Sequence, residues 1–211
     1  MLVDADTGFG EPLTAARTVQ LLEDAGAAGC HVEDQENPKR CGHLAGKHVR
    51  PVAEMVRTVR AAVGGRRDPD FVVCARTDAA AVEGLDAALD RAKAYVDAGA
   101  DMVFAEAMSG PADIERFRAG LEVPLLVNMT EFGRSELLSA AQLADLGVDV
   151  VIYPVTLFRL AMGAVADGLR TLADEGTQTG LLERMQTREQ LYEVLDYDAY
   201  AAFDESVADF R

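Results

Sequence analysis

The sequence contains no tryptophan and only three cysteines, Cys30, Cys41 and Cys74, in 211 residues. An odd cysteine count without framework spacing argues against a disulfide scaffold and for a reducing compartment. Basic side chains are scarce, 20 against 36 acidic ones, for a net charge of −16. Such a surface repels phosphate backbones and anionic lipid, which argues against nucleic-acid and membrane-surface partners. No apolar run approaches the ~18 residues of a membrane span. Asp4 and Asp6 interrupt any leader-like core at the start of the sequence. No Gly-x-Gly-x-x-Gly follows a strand-like run, which weakens a dinucleotide-binding reading. What is present is 49% hydrophobic residues, enough for one core in a single domain spanning 1–211, with the cytoplasm as the expected location.

Strand-like runs at 1–6, 29–33, 71–76, 101–106, 124–128 and 148–153 alternate with helical patterns. Pro12 and Pro51 suit helix starts, and further helices are expected over 83–98, 112–119 and 157–174. Ser139 with Gln142, and Thr187 with Gln190, have capping-box form. The joints Asp24-Ala-Gly-Ala, Asp97-Ala-Gly-Ala and Asp145-Leu-Gly-Val each stop a helix at glycine before a strand. This alternation makes the class α/β with a parallel sheet, either doubly wound or a (β/α)8 barrel. Cys30 and Cys74 lie in apolar runs and read as small buried hydrophobes.

The strands end on polar residues: Asp4 and Asp6, His31 and Glu33, Arg76, Glu106 and Asn128. Alternate residues share a face, and parallel strands place their carboxyl ends at one rim, where active sites sit. Asp4, Asp6 and Glu33 together offer oxygen-only ligation suited to Mg²⁺ or Mn²⁺, although any one of them alone reads as an ordinary N-cap or loop carboxylate. Arg76 can hold a substrate carboxylate in bidentate fashion, or pair with Asp78 or a neighbouring strand-end acid. Asn128 and Thr130 can donate to a second carboxylate, or serve as turn residues. Cys41 lies in a polar loop among Lys39, Arg40 and His43, where positive charge favours the thiolate, and Gly42 permits a sharp turn or close approach.

With these residues in view, the sequence resembles the isocitrate lyase and phosphoenolpyruvate mutase superfamily, most closely its bacterial 2-methylisocitrate lyases. The matching segments are Val3-Asp-Ala-Asp-Thr-Gly-Phe-Gly10, His31-Val-Glu-Asp-Gln35, Lys39-Arg-Cys-Gly-His43, Ala75-Arg-Thr-Asp-Ala79, Phe104-Ala-Glu-Ala107, Asn128-Met-Thr-Glu-Phe-Gly133, Tyr153-Pro154, Phe158-Arg159 and Gln186-Thr-Arg188. The Cys-Gly-His loop is specific to the lyase branch. The resemblance implies a (β/α)8 barrel, here lacking the first two βα units and a helical N-terminal segment, with C-terminal helices over 177–211 that pack on a neighbouring subunit of a homotetramer. It implies that Asp4, Asp6 and Glu33 hold Mg²⁺, some through water. Cys41 is then the acid that protonates a succinate carbanion, with His43 and Glu106 around it. Arg76, Asn128, Thr130, Arg159 and Arg188 would hold the carboxylates of a small tricarboxylate. Phe104, where related isocitrate lyases carry tryptophan, and Ile152 leave an apolar place for the extra methyl of 2-methylisocitrate. The runner-up functions are isocitrate lyase, oxaloacetate hydrolase, or an inactive remnant acting as a structural subunit.

Overall fold

The computed structural model describes residues 1–208. The strands are β1 Leu2–Asp4, β2 Gly29–Glu33, β3 Val72–Thr77, β4 Met102–Ala105, β5 Leu125–Asn128 and β6 Val150–Ile152. They form one six-stranded sheet in the order β1-β2-β3-β4-β5-β6, each neighbour pair parallel. A doubly wound sheet reverses its strand order at a switch point, whereas a barrel wall adds strands in sequence order. The observed order is the second, a curled half-barrel, and it decides between the two topologies that alternation alone leaves open.

Period-2 patterning sorts the strand side chains between two faces. On the inner face Cys74, Phe104 and Leu126 are buried together, with Leu2, Met102, Val150 and Ile152 packed against them. The other face carries the helices α1 Pro12–Asp24, α2 Val52–Gly65, α3 Ala80–Glu83, α4 Leu85–Asp97, α5 Pro111–Gly120 and α6 Ala140–Asp145. Cys30, Val32, Val73 and Ala75 bury there against Val19, Met55, Val59 and Tyr95. Val103, Ala105, Leu125 and Val127 do the same against Leu89, Ile114, Phe117 and Leu143. Pro12 opens α1, and Ser139 with Gln142 forms the expected capping box at α6. The helix expected over 83–98 is α4; the four-residue α3 precedes it, and Gly84 between them has a φ of +96° that an L side chain rarely adopts.

Contacts divide the chain after Thr156. The first unit holds the sheet and α1 to α6. The second holds α7 Thr156–Glu175, a 3-10 turn Thr179–Arg184, α8 Arg188–Leu195 and α9 Tyr197–Ala208. Thr187 and Gln190 cap α8 reciprocally, as their spacing predicts. No residue of α7, α8 or α9 is buried. The last residues of the expected C-terminal segment, 209–211, lie outside the described ones. Among the described residues no helix is long and apolar enough to cross a membrane.

Candidate active site

Strand register brings the polar ends into rows. Asp4 lies opposite His31, Glu33 opposite Arg76, Arg76 opposite Phe104, and Asn128 opposite Ile152. Arg76 is the hub. Its Nε donates to Asp78 Oδ2 at 2.9 Å and its Nη2 to Asp78 Oδ1 at 3.2 Å. Nη2 also stands 3.1 Å from Glu106 Oε2, and Nε 3.4 Å from Glu33 Oε2. The guanidinium lies 5.0 Å over the Phe104 ring, a cation–π contact. Burial alone would lower the Arg76 pKa, but Glu106, Asp78 and Glu33 outweigh it and raise it. In this structure Arg76 therefore pairs with the protein's own acids, the alternative that stands beside substrate binding in its sequence reading.

A second acid fixes this hub from below. Asp34, fully buried, accepts from Thr77 Oγ1 at 2.7 Å, from Tyr95 Oη at 2.9 Å and from the Asp78 amide at 2.9 Å. Burial raises the Asp34 pKa despite these donors. The arrangement ties the end of β2 to the end of β3 and holds Asp78 where Arg76 needs it.

Glu106, 1% exposed, is the meeting point of several donors. Asn128 Nδ2 donates to its two oxygens at 3.2 and 3.3 Å, and His43 Nε2 stands 3.2 Å from Oε1. The Cys41 loop rests directly on this carboxylate: a Cβ added at Gly42 would stand 2.4 Å from Glu106 Cγ, so only glycine permits the approach. His43 Nδ1 accepts from the Arg134 amide at 3.0 Å, which joins the loop to the segment after β5. At the loop's base the Gln35 side chain accepts from the Arg40 amide at 2.9 Å and donates to the Arg40 carbonyl at 2.8 Å.

Cys41 itself is exposed and free, while Cys30 and Cys74 are buried as their apolar runs predict. The cations near Cys41 in sequence point elsewhere: Lys39 Nζ pairs with Asp6 and lies 3.4 Å from Glu33 Oε2, and His43 turns to Glu106. Lys39 and His43 are thus turned to Asp6, Glu33 and Glu106, an arrangement of three acids at the rim that the local sequence does not reveal.

At the metal end, Asp4 Oδ1 accepts from the Asp6 amide at 2.9 Å and faces His31 Nδ1 at 3.6 Å. Burial lowers the His31 pKa although Asp4 opposes it. Among the described residues no three His, Cys, Asp or Glu side chains are gathered as a ready metal shell. Asp4, Asp6 and Glu33 nevertheless suit a hard divalent cation. Glu33 is fully buried with Oε1 lacking a hydrogen-bond partner. Burial pushes its pKa up to about 7, against the pull of Arg76. The Lys39 ammonium already stands between Asp6 and Glu33, where positive charge is wanted.

Phe104 is packed, 1% exposed, under Arg76 and edge-on to His31 at 5.5 Å; half-buried Ile152 adjoins it in the same inner cluster. Thr130 is buried just beyond β5. Arg159, in the first turn of α7, and Arg188, which opens α8, belong to the second unit and are exposed. Asp6, Ala107 and Phe132, in the loops after β1, β4 and β5, have φ of 49°, 55° and 60° without being glycine. Such strain concentrates at functional sites. Sequence reasoning gives no part to Asp34, Gln35 or Lys47. Lys47 is buried in the same loop, with its Nζ 3.0 Å from Asp78.

The chain resembles known proteins along most of its length. The phosphoenolpyruvate phosphomutase family profile matches residues 1–173. The chain is 63% identical to a probable 2-methylisocitrate lyase 2 of Corynebacterium glutamicum over 207 residues, 98% of this chain and 67% of the relative. It is 48% identical to the Escherichia coli 2-methylisocitrate lyase over 201 residues, 95% and 68% of the two. The crystal structure of 2,3-dimethylmalate lyase superposes with a TM-score of 0.89 at 34% identity, covering 98% of this chain and 69% of that one. A phosphonopyruvate hydrolase complex with oxalate and Mg²⁺ superposes with a TM-score of 0.83 at 28% identity, covering 99% and 72%.

Proposed function

The chain belongs to the phosphoenolpyruvate phosphomutase family, within the PEP mutase/isocitrate lyase superfamily, and from that membership we propose that it is a Mg²⁺-dependent carbon–carbon lyase that cleaves 2-methylisocitrate to pyruvate and succinate, as in propionate catabolism by a methylcitrate cycle. The observation that carries this reading is the Cys41-Gly42-His43 loop seated on Glu106 beside Arg76. The names of the relatives and the Mg²⁺ complex of a superfamily member support it.

The chemistry follows from the parts. Asp4, Asp6 and Glu33 would hold the cation, which when bound polarises the substrate's hydroxyl-bearing carboxylate end as a Lewis acid. Loss of the hydroxyl proton lets the adjacent C–C bond break, and its electron pair leaves on the succinate fragment. Arg76, Asn128 and Thr130 orient carboxylates and stabilise that developing charge, with Arg159 and Arg188 assigned the same task by their motifs. Cys41 then delivers its thiol proton to the carbanion carbon. His43 and Glu106 hold the loop and the Arg76 fork in register around it. Phe104 and Ile152 wall the methyl group. We place the protein in the cytoplasm as a homotetramer whose C-terminal helices over 177–211 cover a neighbouring subunit; apolar residues exposed on α8 and α9, such as Val194 and Phe203, support this.

The test is an assay of the full-length protein with 2-methylisocitrate, isocitrate and oxaloacetate. The pyruvate released is read by coupling to lactate dehydrogenase, with and without a chelator. Mg²⁺-dependent pyruvate release confirms the reading. Glyoxylate from isocitrate as the preferred product, or oxalate from oxaloacetate, would transfer the assignment to the sister activities, and no turnover of any would leave the interaction-subunit reading.

A further inference from the structure

Lys47 is almost wholly buried, its side chain 2% exposed. A buried ammonium costs several kcal/mol unless it is paired and hydrogen-bonded. This one is spent on two acceptors: the carbonyl oxygen of Gly42 and Asp78 Oδ1 at 3.0 Å. Gly42 is the residue that presses on Glu106, and Asp78 is the carboxylate gripped by Arg76. The Asp78 pKa stays low because Arg76 and Lys47 together outweigh its burial. Lys47 therefore contacts both the Cys41 loop and the acid that sets the arginine.

We propose that Lys47 is a positioning residue that latches the Cys41 loop onto the rim and, through the same ammonium, fixes Asp78 and hence Arg76. The kinetic part of this inference rests on the lyase reading; the loop part does not. Methionine at this position keeps much of the volume and loses both bonds, leaving the Gly42 carbonyl and one Asp78 oxygen without their donor. The acid and the arginine would then no longer be held together against one substrate.

The experiment uses the full-length protein carrying Lys47→Met or Lys47→Arg. For Lys47→Met, kcat should fall about 100-fold, the usual cost of misplacing a reacting group by an ångström, with KM little changed. Trypsin should cut after Lys39 and Arg40 about tenfold faster, the response to losing one buried charge-assisted bond, while sites outside the loop keep their wild-type rate. Lys47→Arg keeps the charge but replaces a compact ammonium with a larger planar group in a buried site, and should fall between wild type and Lys47→Met in both readings. A folded Lys47→Met with wild-type kcat and unchanged loop cleavage overturns the proposal, as does acceleration spread evenly over all sites. If Lys47→Met does not fold, Lys47→Arg decides: wild-type values in both readings overturn the latch. Should the wild-type protein prove to have no lyase activity, the function falls, and the trypsin comparison still judges the latch.

Discussion

A single thiol on an exposed loop is a weak structural element, so its replacement should be silent in stability and loud in turnover. Cys41 is free and exposed, and the loop is held by Gly42, His43 and Gln35 rather than by the sulfur. Cys41→Ser is expected to leave the unfolding midpoint and Mg²⁺ affinity unchanged while abolishing turnover, because a hydroxyl is a far weaker proton donor than a thiol. Near-wild-type turnover of that variant would remove Cys41 from the chemistry. Phe104 raises the opposite problem, since it is packed and is also the residue proposed to set specificity. Its ring is 1% exposed beneath the Arg76 guanidinium and adjoins Ile152. Phe104→Trp overfills this place and should cost about 1–3 kcal/mol of stability. It should also erase the room for a methyl group, which in an apolar pocket is worth about 1–3 kcal/mol, or roughly 10- to 200-fold in kcat/KM. The ratio of kcat/KM for 2-methylisocitrate over isocitrate, measured in both proteins, checks this; an unchanged ratio would make Phe104 a packing residue only.

At the scale of elements, the joint between α3 and α4 offers a clean measurement of backbone strain. Gly84 has φ +96° and ψ 166°, and a Cβ added there would meet nothing within 4 Å. That region is almost exclusive to glycine, so Gly84→Ala should destabilise by about 1–3 kcal/mol through the backbone alone. Gly64, near the end of α2 and equally unobstructed, is its control: there Ala should stabilise by about 0.5–1 kcal/mol. Urea unfolding of both variants reads the pair, and equal effects would refute the strain argument. The helix after this joint was legible to within two residues, expected from 83 and observed from Leu85, because its apolar spacing continues through Leu89, Ala92 and Val96. The strand ends were legible because each interrupts an apolar run with a polar side chain, as Arg76 does after Val72 to Ala75. Asp34 and Lys47 were not, because a carboxylate and a lysine beside a polar loop look solvated until the β2 and β3 ends are brought together and bury them. The choice of a barrel and the roles proposed for Arg159 and Arg188 came from motif resemblance, since alternation alone fits two topologies and an arginine on a helix looks like surface charge.

For the whole molecule, two opposing forces govern association. The net charge of −16 makes copies repel one another. Against this stands exposed apolar surface. Along α7, Phe158, Met162, Val165, Leu169 and Leu172 recur at helical spacing and all are exposed, Phe158 by 66% and Leu169 by 63%. β1 and β6 are the end strands of the sheet, and a strand at a sheet's edge offers unpaired backbone to other chains. The 211-residue chain by itself should therefore self-associate and be poorly soluble, and a protein of its relatives' full length, of which this chain spans about two thirds, should form a discrete tetramer. The sign of the salt effect separates the forces. Raising ionic strength from about 0.01 M to about 1 M shortens the screening length from roughly 30 Å to roughly 3 Å, which removes repulsion between like-charged copies and leaves apolar contact untouched. Association should thus strengthen with salt, read as molar mass by size-exclusion chromatography with light scattering. Oligomers that dissociate as salt rises would mean that ion pairs hold them together, and a monodisperse monomer at every salt concentration would mean that the apolar stripe of α7 is satisfied within its own chain.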